Sequence, residues 1–112
     1  MLSWSSTQEG HPADLTAIAD GSGDAGLPFG AELIAFTEAI GGYDDEALAA
    51  ARAALVLAAG EAFMVDAAAV AANFEMMTRV ADGTGARFPD EVVRERTAMI
   101  GDLGITGFTS AR

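Results

Sequence analysis

Four residues able to do chemistry lie within fourteen positions of an otherwise apolar stretch: Asp66, Asn73, Met77 and Arg79. They supply a carboxylate, a carboxamide, a thioether and a guanidinium. A guanidinium grips a carboxylate through paired hydrogen bonds, and an amide both donates and accepts. On a pocket wall with Phe63, Phe74 and Met76, such groups would anchor a small apolar or carboxylated molecule. Asp66 and Asn73 are seven residues apart, so a helix puts both on one side. The same placement also suits a structural hydrogen bond between helices or across a dimer, which is the commoner use of a polar group in an apolar stripe. Both readings stand at this point.

The other constellations are weaker. Gly21-Ser22-Gly23-Asp24-Ala25-Gly26 matches a dinucleotide fingerprint by letter. No strand precedes it, no helix starts within it, and its acidic residues repel a pyrophosphate. Asp20, Ser22 and Asp24 alternate as in a calcium loop, but the required Gly and Glu positions hold Ala25 and Ala31. His11 is the only histidine, so there is no triad and no metal set. Asp44-Asp45-Glu46 points its carboxylates in different directions and reads as a helix cap. No catalytic residue, metal site or cofactor is expected.

The elements that must position these residues are helices. A short one is expected after Pro12, near residues 12–19, followed by a loop at Asp20–Gly26. A first secure helix is expected from Gly30 to Ile40, stopped by Gly41-Gly42. A second runs from Asp45 to Ala59, with Leu48 and Leu55 on one face and Ala51 and Ala58 beside them. A third runs from Glu61 or Ala62 to Asp82, ended by Gly83 or Gly85. It carries two apolar stripes, Phe63-Val70-Phe74-Met77-Ala81 and Val65-Ala69-Ala72-Met76-Val80, with Glu75, Thr78, Arg79 and Asp82 facing water. A helix apolar over that breadth is expected to be buried on more than one side, inside a bundle or at a subunit interface. A fourth opens at Pro89-Asp90-Glu91 and ends near Gly101–Gly104, after which Ile105 and Phe108 are expected to tuck back. No stretch alternates with period two, so no sheet is expected. The domain reading is an arm over 1–26 and a helical domain over 27–112.

Composition narrows the function classes. Six Arg and no Lys face seventeen Asp and Glu, a formal net charge of −11 in 112 residues. That sign repels nucleic acid and anionic membranes. The chain has no cysteine, which removes disulfides, thiolate metal sites and thiol catalysis and fits a cytoplasmic location. Residues 1–10 have neither the basic nor the apolar region of a secretory signal. The uncharged runs Ala53–Gly60 and Ala67–Phe74 fall well short of the ~20 residues of a membrane span.

The run Val65–Phe74, with Met77 and Arg79–Gly85, resembles the C-terminal helical part of the alkylhydroperoxidase AhpD-like / carboxymuconolactone decarboxylase superfamily. Leu27–Leu33 and Leu103–Phe108 resemble short stand-alone relatives of that group. The resemblance implies an all-helical fold and an oligomer. Peroxidase members of the superfamily use a Cys-x-x-Cys pair with a His and a Glu. With no cysteine, this chain takes over none of those roles.

The expectation is therefore an all-α bundle of about four helices, forming a homo-oligomer through the helix over 61–82. The leading functional reading is a non-catalytic structural or interaction module. A small-molecule site near Asp66, Asn73, Met77 and Arg79 is the second, and redox work with a thiol-bearing partner the third.

Overall fold

The computed structural model describes residues 8–10, 13–14, 16–19 and 23–104. Among the described residues the helices follow in order: α1 (Thr16–Ala19), α2 (Gly30–Gly41), α3 (Asp45–Ala59), α4 (Glu61–Thr84), α5 (Asp90–Glu95) and α6 (Thr97–Asp102). The fold is all-α, and there is no strand among the described residues. Within residues 1–26, the described part of the helix expected after Pro12 is Thr16–Ala19, and Asp14 accepts the Thr16 N–H at 2.9 Å. Gly21 and Ser22 of the glycine-rich loop, Asp20, His11, and the tail bearing Ile105 and Phe108 lie outside the described residues.

A tight turn over residues 23–30 launches α2. Asp24 accepts the Gly26 N–H at 2.9 Å, and the Asp14 N–H reaches the Ala25 carbonyl at 2.8 Å. Phe29 is left-handed at φ 58°, a conformation that costs an L-residue about 1–3 kcal/mol. Its ring meets Phe63 edge-on at 5.5 Å, a contact worth about 0.5–1.5 kcal/mol that offsets part of the strain. Gly30 is buried so close to this turn that a Cβ would lie 1.7 Å from the Asp24 carbonyl oxygen. No other residue type fits there.

Asp44 begins α3 by accepting the N–H groups of Glu46 and Ala47, each at 3.0 Å. The acidic triplet is thus a cap, with Asp45 and Glu46 at the positive end of the helix dipole. A single residue, Gly60 at φ 91°, separates α3 from α4. That backbone angle is open mainly to glycine, and it lets α4 leave the end of α3 and pack beside it. At its far end α4 closes with Ala86 N–H bonded to the Ala81 carbonyl at 3.0 Å.

Helices α2, α3 and α4 pack on one another, while α5 and α6 pack chiefly on each other. The core is thin: among the described residues only Leu55, Phe36 and Ala25 are buried apolar side chains. Leu55 is fully enclosed, contributing about 1.5–3 kcal/mol by burial. Leu48 and Ala51 on the same face are half-buried, whereas Ala58 is exposed.

Two expectations need correction. The fourth helix is two six-residue helices, because the Arg96 N–H is shared between the Val92 and Val93 carbonyls at 3.2 and 3.3 Å. That tightened turn at φ −103°, ψ 10° ends α5 and restarts the chain as α6. The burial expected for the third helix is also absent within one chain, since none of the 24 residues of α4 is buried. Its half-buried residues Met64, Ala67, Ala68 and Ala71 form a single strip, and from Ala72 onward only Ala81 is even half-covered. Helices α2 and α3, 12 and 15 residues long, are too short to cover both sides of a helix about 36 Å long.

Candidate functional site

Two surfaces of α4 remain open, and the residues marked out by sequence divide between them. The first is a groove of ≈ 830 Å³ between the C-terminal half of α2 and α4. Leu33 and Ile40 form one wall, and Phe63, Val70 and Phe74 the other. Asp66 and Arg79 stand on its α4 side, with Tyr43 at the α2 end. The helical period explains the set, because steps of three and four from Phe63 return to nearly the same direction.

The groove has little reactive chemistry. Thr37 spends its hydroxyl hydrogen on α2's own backbone, with the Leu33 carbonyl at 2.9 Å. Thr78 does the same toward the Phe74 carbonyl at 3.0 Å. Arg79 Nε donates to Glu75 Oε1 at 2.8 Å, one turn away, in a pair that is largely solvent-exposed. That hydrogen bond, followed by the attraction of the same carboxylate, raises the guanidinium pKa, so Arg79 stays cationic. Asp66 is exposed and has no hydrogen-bond or ion-pair partner among the described residues. Nothing here pairs a nucleophile with a base. Among the described residues no three His, Cys, Asp or Glu side chains approach closely enough to hold a metal ion.

The second surface is the opposite side of α4. Val65, Met76 and Val80 are 55%, 57% and 59% exposed, and Ala69, Ala72 and Asn73 are exposed with them. Asn73 donates to Met77 Sδ at 3.7 Å, a weak bond that leaves its carbonyl oxygen unused. The four residues singled out by spacing therefore do not converge: Asp66 and Arg79 line the groove, while Asn73 and Met77 do not. An interval of seven residues brings two side chains near one meridian, yet only Asp66 of the two lines the groove. Leu33 and Ile40 of α2 and Tyr43 just after it also line the groove, and spacing within α4 gives no sign of them, because only packing brings them near.

Among the described residues no helix is long and apolar enough to cross a membrane. Comparison of the chain with family models, with curated proteins and with solved structures gives no match, so the geometry of these two surfaces carries the functional argument.

Proposed function

We propose that this chain is a non-catalytic helical module, built on an AhpD-like bundle, that works by self-association through α4. One observation carries the reading: α4 holds seven large apolar side chains more than one-third exposed and buries none. Light scattering on the eluting peak of a sizing column is the test. A mass of two or more chains is expected, and a monodisperse species of 11.4 kDa overturns the reading.

The groove favours a second reading, a small-molecule site. Its apolar walls and unpartnered Asp66 suit a ligand with an apolar body and a cationic head. Calorimetry with an alkyl ammonium probe, on the parent and on Asp66→Asn, tests it. Equal binding by both, or by neither, removes this reading.

A further inference from the structure

We infer that two copies of the chain pair antiparallel along α4, with the two-fold axis passing between Ala72 and Asn73. This rests on self-association through α4 and specifies its geometry. The strip Val65-Ala69-Ala72-Met76-Val80 advances by four, three, four and four residues, the spacing of a helix–helix seam. Every member is exposed, none is charged, and the strip lies across the helix from the half-buried face that packs on α2 and α3.

The residue sizes select the orientation. A two-fold axis at the middle of the strip sets Val65 against Val80 of the second copy and Ala69 against Met76. Each methionine then enters the space left by an alanine, the large-against-small matching that lets helix surfaces interdigitate. A parallel pair instead sets Met76 on Met76 and Ala69 on Ala69, crowding one level and leaving a gap at the other. The antiparallel axis also brings the two Asn73 side chains to the same flank, about 1.5 Å apart along the helix direction. Each has a free carbonyl oxygen, so the amides can exchange the weak Met77 contact for a hydrogen bond to each other.

A second copy is the occupant this surface fits. The strip is self-complementary about its own centre, and it carries no charge in a chain of net charge −11, so two copies meet there without the repulsion their other surfaces carry. A partner of positive charge would find no acidic residue on the strip to meet.

The absence of native cysteine makes the test direct. Ala69→Cys and Met76→Cys are made separately in the full chain, and light scattering and circular dichroism first establish mass and fold. In the antiparallel pair each new cysteine lies about 10 Å along the axis from its own copy, beyond disulfide reach. Under mild oxidation each variant alone then stays non-covalent, and an equimolar mixture gives a covalent heterodimer. A dimer in which the single variants link to themselves overturns the antiparallel arrangement and leaves self-association standing. A dimer that links in neither experiment shows that another face is used and also overturns it. A monomer removes both this inference and the reading beneath it.

Discussion

Truncating Met76 to alanine separates association from folding. Met76 is 57% exposed in the single chain and Ala is the better helix former, so Met76→Ala should leave the monomer fold intact. In the pair, the exposed part of the side chain is buried against Ala69 of the second copy. Full burial of a methionine side chain is worth about 1.5–3 kcal/mol, so burying somewhat over half of it contributes about 1–1.5 kcal/mol. The axis repeats the contact, and the dimer loses about 2–3 kcal/mol, a roughly 30–150-fold weaker Kd. Sedimentation equilibrium over a concentration series measures this, with far-ultraviolet circular dichroism as the folding control. An unchanged Kd in a dimeric variant refutes the size-matching argument. A collapsed helical signal would show that Met76 supports the fold, against its exposure.

The other predictions concern the scaffold and its charge. Leu55→Ala removes the one fully enclosed side chain and should cost about 2–5 kcal/mol in urea unfolding; a cost under 1 kcal/mol would mean that the site collapses around the gap or is not the core. Gly30→Ala drives a methyl group to 1.7 Å from the Asp24 oxygen, so the turn must open and the thermal midpoint should fall by several degrees. Asp44→Ala leaves two N–H groups without their acceptor and should cost about 1 kcal/mol, whereas Asp44→Asn should restore most of it. Because each copy carries −11 and the α4 strip is uncharged, salt should tighten the dimer as the screening length falls from about 30 Å at 0.01 M to about 3 Å at 1 M. Weakening by salt would point to ion pairs across the interface and to a different face.

Helices were legible where local chemistry is decisive. Asp44 accepts exactly the N–H groups that a cap must satisfy, and Gly60 and Gly85 stand where α4 begins and ends. The break at Arg96 was not legible, because nothing in Val92-Val93-Arg94-Glu95-Arg96-Thr97 forbids a continuous helix. It arises from one N–H sharing two carbonyls, a matter of backbone angle rather than residue type. The candidate site was half legible. Asp66 and Arg79 share the groove, whereas Asn73 and Met77 fall away from it, since helical period gives direction along one helix and not the position of its neighbour.

The sequence by itself determined the helical class, the caps, the acidic surface and the two apolar stripes of α4, because these follow from residue type and the 3.6-residue period. Only the tertiary structure decided that both stripes are left open. Helices α2 and α3 half-cover only the strip Met64, Ala67, Ala68 and Ala71, so a pattern that implied burial becomes, in a single chain, an exposed surface. Burial is a property of what lies opposite a side chain, and no spacing within one helix contains that information.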